Sequence, residues 1–233
     1  MSPKSMDYSN FTVVVPVYNE EKGVEAMAQE VNKYLPTAKI LVVNDGSTDR
    51  TLPILKKLEK IYKNLSFLSY PKNKGYGAAL KTGSQHVKTT YFGYIDADRT
   101  YHPKEFPPML QLLQDNHLDV VFGNRFTPGN KMPRLRLFGN FFLVLLFRIV
   151  NFPRGILDVT CGQMVLRRDC VKKLDIPTIA DGFEFITQIS KRIVARKLNY
   201  RVYNIIYRTR EGSSKLRIFR DFIHMAKQIV IAR

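Results

Sequence analysis

The chain has 233 residues and 45% hydrophobic content, enough for one large globular fold, and it shows no internal repeat or low-complexity stretch that would indicate a fibrous or disordered class. Its net charge of +17 is unevenly placed: residues 1–120 carry 15 Lys and Arg against 13 Asp and Glu, a net of +2, whereas residues 121–233 carry 22 against 7, a net of +15. Such asymmetry suggests a polyanionic partner for the second half, either nucleic acid or an anionic membrane surface.

Met1 to Asn10 is polar and lacks an apolar signal core. Phe11 to Val17 is a β-branched run that reads as a strand buried on both faces, followed by Tyr18-Asn19-Glu20-Glu21 and a helix through Tyr34 with Val24, Met27, Val31 and Tyr34 on one side. Lys39 to Asn44 is a second strand, closed by Asp45-Gly46-Ser47-Thr48-Asp49; Ser47 or Thr48 is placed to cap the next helix, which runs to about Tyr62. Leu65 to Tyr70 is a third strand, and Gly75-Tyr76-Gly77 opens a helix ending near Val87. Tyr91 to Ile95 is a fourth, Pro103 opens a helix to about Asp115, and Leu118 to Phe122 is a fifth strand closed by Gly123-Asn124-Arg125. Strands alternating with helices of this length predict an α/β fold with a mainly parallel sheet.

Ligands of open parallel sheets bind beyond the carboxyl ends of the strands. Tyr18-Asn19-Glu20, Asp45-Gly46-Ser47, Asp96-Ala97-Asp98 and Arg125 all fall there. Asp96 and Asp98 offer paired hard oxygens suited to Mg²⁺ or Mn²⁺, with room for phosphate oxygens to complete the shell. An Asp-x-Asp alone is also an ordinary acidic turn, and Gly75 and Gly77 alone are ordinary turn residues; it is the convergence that points to a site for a nucleoside diphosphate.

In the basic half, Lys131, Arg134 and Arg136 precede an apolar run from Leu137 to Val150 that is too short to span a bilayer, which needs roughly 20 apolar residues. We expect an interfacial helix, with Leu143 and Leu146 on its lipid face, rather than a buried one. Gln163 to Arg167 alternates like a strand returning to the sheet; Phe183 to Arg196 is helical, Asn199 to Ile206 is a strand, and a last amphipathic helix begins after Gly212-Ser213-Ser214. Cys161 and Cys170 read as reduced structural thiols.

Together, Val15-Pro-Val-Tyr-Asn-Glu20, Val43-Asn-Asp-Gly-Ser-Thr-Asp49, Lys74-Gly-Tyr-Gly77 with Lys81, and Asp96-Ala-Asp98 resemble a family 2 glycosyltransferase of the GT-A fold. Gly123-Asn-Arg125, Asp158-Val-Thr-Cys-Gly162, Gly182-Phe-Glu184 and Tyr207 to Lys215 are similar to the branch that makes dolichyl- or polyprenyl-phosphate sugars. The resemblance covers nearly the whole chain and implies one GT-A domain, with residues 1–125 as the nucleotide-sugar half and 126–233 as the acceptor and membrane-facing half, ending in interfacial helices. It implies that Pro16, Tyr18, Glu20 and Asp45 line the base and ribose pocket, with Gly75 and Lys81 beside the donor, that Asp96 lies near ribose and metal, and that Asp98 is the main metal ligand. Some relatives carry Gln two residues after the second Asp; here it is Thr100, so the third ligand stays open.

The implied reaction is inverting transfer of a hexose, from GDP-mannose first and UDP-glucose second, to a polyprenyl or dolichyl phosphate. Arg125, Arg210 and Lys215 would compensate the acceptor's charge. The protein would work peripherally at the cytoplasmic face of an anionic membrane, alone or through a separate membrane-anchoring protein, with no nucleic-acid partner. A rival, transfer to a sugar hydroxyl, would need Asp181 or Glu184 as base.

Overall fold

A computed structural model describes residues 7–151, 158–209 and 218–231; among these the side chains of residues 218, 219 and 231 are not described. Seven strands form one sheet: β1 (Phe11–Val17), β2 (Lys39–Asn44), β3 (Leu65–Ser69), β4 (Tyr91–Tyr94), β5 (Val120–Asn124), β6 (Met164–Arg167) and β7 (Tyr200–Asn204), in the order β3-β2-β1-β4-β6-β5-β7. All pairings are parallel except those of β6, which runs antiparallel to both β4 and β5. The helices are α1 (Val24–Tyr34), α2 (Thr51–Ile61), α3 (Tyr76–His86), α4 (Phe106–Asp115), α5 (Arg134–Asn151), α6 (Cys170–Lys173), α7 (Phe185–Ala195) and α8 (Ile218–Ile231).

Every residue of β1 is buried, as the unbroken β-branched run requires of a strand covered on both faces. Val13, Val15 and Val17 enter the core shared with α1, α2 and α4, while Val14 enters the opposite one, with α3, α5, α7 and α8. Alternation along one strand thus ties the two layers together. Cys161 and Cys170 are both free and buried.

Two expectations shift. The fifth strand starts at Val120, not Leu118, because the chain is still turning there: His117 has φ 50° and the Leu118 N–H returns to Leu113 O at 2.9 Å. Neither Ser47 nor Thr48 caps α2. The Ser47 hydroxyl accepts from Asn19 N at 2.9 Å, and the Thr48 N–H donates to Asn19 Oδ1 at 2.8 Å. The α2 entry is served by Asp49, whose Oδ1 accepts from Thr51 N at 2.9 Å. These contacts lock the β1–α1 loop to the β2–α2 loop at one edge of the cleft.

Candidate active site

Two cavities meet at the end of β4. The larger, about 370 Å³, is lined by Pro16, Tyr18, Glu20, Asp45, Asn73 and Gly75 at one side and by Tyr76, Asp96, Asp98 and Phe183 at the other. The smaller, about 100 Å³, shares those last four residues and continues past Thr100, Tyr101, Arg125 and Thr160 to Arg136 and Asn140 of α5 and Met225 of α8. Asp96 and Asp98 therefore stand where one cavity passes into the other.

Their carboxylates are oriented by neighbours. The Tyr76 hydroxyl donates to Asp96 Oδ1 at 2.9 Å, and Tyr76 stacks on Phe183 with ring centroids 5.1 Å apart. Burial, then the charge of Asp96, pushes the Tyr76 phenol far above its ordinary value, so it remains a donor. Asp98 is almost fully buried, and its Oδ1 accepts from Thr100 N at 3.0 Å and Thr100 Oγ1 at 2.6 Å. Thr100, in the position left open as a third ligand, thus donates to Asp98. Gly162 leaves the space beside Asp96 open: a Cβ there would lie 3.5 Å from Asp96 Oδ2 and 2.8 Å from Tyr76 Oη. Two carboxylates lining both cavities, Asp96 and Asp98, fit a hard divalent cation.

Asp45 closes the other side. It accepts from Lys74 N at 2.7 Å, Gly75 N at 2.9 Å and Asn73 Nδ2 at 2.9 Å. Burial raises its pKa and outweighs these donors. The aspartate after β2 therefore caps the entry to α3 while it lines the cavity. The Gly75 N–H is committed to Asp45. Its φ of +112° and the 2.4 Å a Cβ would have to Asp181 O show what the glycine permits: close approach of the 180–182 backbone.

Several candidate residues are placed otherwise than expected. Lys81 lines neither cavity; its ammonium is taken by Asp181 Oδ1 at 2.5 Å and Ile179 O at 2.8 Å. Arg125 does line the smaller cavity, but not as an uncompensated cation. It forms a two-point pair with Asp158 (Nε–Oδ2 2.6 Å, Nη2–Oδ1 2.8 Å), both side chains being buried. Its guanidinium also donates to Thr160 Oγ1 at 2.7 Å and lies over the rings of Tyr101 and Tyr207. Arg210 and Lys215 lie outside the described residues. Neither Asp181 nor Glu184 lines either of these two cavities. A further group of possible metal ligands, Asp119, Asp169 and Cys170, is already served by Lys173, whose ammonium lies 2.9 Å from Asp119 and 3.0 Å from Asp169.

Sequence reasoning missed Asn73, Phe183 and Arg136. Asn73 follows the third strand end, so the convergence argument could have reached it. Arg136 was counted only as a flanking charge, yet it projects into the smaller cavity and donates from Nη1 to Tyr207 Oη at 2.9 Å. Nothing short of the docking of α5 shows that.

The sequence model of the family described as glycosyl transferase family 2 matches residues 12–175. A low-salt glycan biosynthesis hexosyltransferase, Agl6, of Haloferax volcanii is 31% identical over 90% of this chain and 50% of its own length. The dolichyl-phosphate beta-glucosyltransferase ALG5D of Trichomonas vaginalis is 29% identical over 86% of this chain and 66% of its own. The chain thus spans half to about two thirds of the length of these curated relatives. Among solved structures, glucosyl-3-phosphoglycerate synthase from Mycobacterium tuberculosis, in complex with Mn²⁺ and UDP, superposes with a TM-score of 0.70 at 19% identity, covering 94% of this chain and 76% of that one.

Proposed function

The chain belongs to glycosyl transferase family 2, and within it we propose that it transfers a hexose from a nucleotide-diphosphate sugar to a polyprenyl or dolichyl phosphate at a membrane surface. The observation that carries this reading is the meeting of two cavities at Asp96 and Asp98. One runs toward Pro16, Tyr18, Glu20 and Asp45; the other opens toward α5 and α8, beside apolar side chains exposed to solvent. The first suits a nucleoside and its diphosphate, the second an acceptor phosphate whose lipid tail leaves along those helices. Residues 1–125 then form the donor half and 126–233 the acceptor half.

Asp96 and Asp98 would hold Mg²⁺ or Mn²⁺, which when bound neutralises the diphosphate and so assists departure of the nucleoside diphosphate. Tyr76 and Thr100 keep the two carboxylates aimed. A phosphate monoester has a second pKa of about 6, by analogy with phosphorylated side chains, so it is already an anionic nucleophile at neutral pH. What it needs from the protein is position and charge compensation. Arg136 is placed for this, with Arg210 and Lys215 as the further cations implied by the family pattern. Arg125, neutralised by Asp158, instead fixes Tyr101, Tyr207 and Thr160 as the wall of the acceptor cavity. In-line attack from that cavity inverts the sugar carbon.

The name of the Trichomonas relative favours glucosyl transfer, which puts UDP-glucose ahead of GDP-mannose. Transfer to a sugar hydroxyl fits less well, since it needs a carboxylate base, Asp181 is already paired with Lys81 and Glu184 lines neither of the two cavities.

The test is transfer of labelled glucose and mannose from UDP-glucose and GDP-mannose to polyprenyl phosphate, with free polyprenol and simple glycosides in parallel. Product on polyprenyl phosphate alone, lost in Asp98→Asn and in excess EDTA, is the expected result. Product on the glycosides alone would leave a glycosyltransferase but remove the lipid-phosphate assignment.

A further inference from the structure

Arg208 meets the turn that follows Asp98 without lining either cavity. Its backbone N–H donates to Thr100 O at 2.8 Å, its Nε to Arg99 O at 3.0 Å and its Nη2 to Tyr101 O at 2.9 Å. One residue therefore serves three successive carbonyls. Its guanidinium is held in turn by Glu30 of α1, Nη1 to Oε1 at 3.1 Å and Nη2 to Oε2 at 2.8 Å, and the same carboxylate accepts from Arg99 Nη2 at 3.0 Å. Burial alone would raise the Glu30 carboxyl, but the hydrogen bonds from Arg208 and Arg99 outweigh it and hold the group below its ordinary value. Glu30 is thus a persistent carboxylate that fixes the fork of Arg208.

The turn so held is not one the backbone prefers. Arg99 has φ 62°, a left-handed conformation in which a non-glycine residue persists only where its surroundings enforce it. Arg99 separates Asp98 from Thr100, and Thr100 donates to Asp98 by both backbone and hydroxyl. Release of the 99–101 carbonyls would free Arg99 to relax and carry Thr100 away from Asp98. Arg208 also directly follows Tyr207, a wall of the smaller cavity. The clamp therefore ties the Asp98 turn to the chain that forms the acceptor side.

We propose that Glu30 and Arg208 are positioning residues that hold the 99–101 turn in the conformation presenting Asp98 to the donor diphosphate. This rests on the reading of Asp98 as a cation-holding residue.

The test measures binding of Mn²⁺ with UDP or with GDP, whichever the wild type binds more tightly, together with the melting midpoint of the unliganded full chain. Arg208→Lys keeps a cation beside Glu30 and the backbone bond to Thr100, but a single ammonium cannot span the Arg99 and Tyr101 carbonyls. Its affinity should fall on the order of tenfold or more, the range seen when groups behind metal ligands are removed, with a midpoint close to wild type. Glu30→Gln should lose affinity similarly. Leu58→Ala, in the core on α2, should lower the midpoint and leave the affinity unchanged. Wild-type affinity in both Arg208→Lys and Glu30→Gln, or loss of affinity in Leu58→Ala in step with its lost stability, overturns the proposal. Asp98→Ala separates the two readings. If it also binds as wild type does, the cation site itself is wrong and the clamp falls with it; if it alone loses binding, only the clamp is wrong.

Discussion

His102 lies beside the Glu30–Arg208 pair, and its state is set by that neighbourhood. Burial, then the charge of Arg208, brings its imidazole down to about 4, although Glu30 Oε2 is 3.9 Å away. The Nδ1 atom accepts from Lys104 N at 3.3 Å, which requires the neutral ring. In the unfolded chain the ring titrates near 6.5. Between about pH 6.5 and 4 the unfolded chain therefore takes up a proton that the folded chain refuses. Stability falls as pH drops through this window and is untouched by His102 above it. Melting midpoints followed across the window should show a decline that His102→Asn flattens. The two arginines of the acceptor cavity should also separate. Arg125→Ala leaves the buried Asp158 unpaired and should cost about 3–5 kcal/mol of stability, read from denaturant unfolding. Arg136→Ala should instead raise the acceptor KM, by about 1.5–3 kcal/mol if a charge-assisted hydrogen bond to phosphate is lost. Donor binding should not change.

Helix α5 is where the apolar face expected from the sequence is corrected by packing. Leu143 is only 1% exposed and packs with Val144 and Phe147 into the core, while Leu146 is partly buried against the same cluster. The apolar side chains of α5 left in solvent are Leu135, Leu137, Phe138, Phe141, Phe142, Leu145, Ile149 and Val150, with Phe138 73% exposed, and Ile223 and Val230 of α8 add to them. Leu135, Phe138, Phe141, Leu145 and Ile149 recur every three to four residues, as one helical face does. Among the described residues no helix is long and apolar enough to cross a membrane. In the interfacial reading, Phe138→Glu with Leu145→Glu should abolish the salt-resistant part of sedimentation with liposomes and leave the melting midpoint near wild type. Leu143→Glu, which puts a charge into the core, should unfold the protein instead. Wild-type sedimentation of the double variant would remove α5 from the membrane contact.

For the whole molecule, the +15 of residues 121–233 against the +2 of residues 1–120 predicts a salt-dependent attachment. Sedimentation with anionic vesicles should weaken as ionic strength rises and the screening length shortens, yet keep an apolar remainder that salt does not release. Neutral vesicles should retain only that remainder. Indifference to vesicles of either kind at every ionic strength would separate the exposed α5 face from lipid altogether.

The sheet and its helices were legible because their signals are local. The β-branched run of Phe11 to Val17, the 3.6-residue spacing of Val24, Met27 and Val31, and the turn chemistry after each strand all act within a few residues. Parallel topology then places every strand's carboxyl end on one edge, which is why Pro16, Tyr18, Glu20, Asp45, Asp96 and Asp98 could be grouped before any fold was seen. The partners of charged side chains were not legible, because they come from contacts far apart in the chain. Arg125 and Asp158 are 33 residues apart, Lys81 and Ile179 are 98, and Glu30 and Arg208 are 178. A charge read from the sequence carries its sign but not its partner. The side of α5 that faces the core was undetermined for the same reason: its apolar residues lie on more than one face, and only the cluster shared with Phe185, Ile189 and Met225 selects the one that is buried.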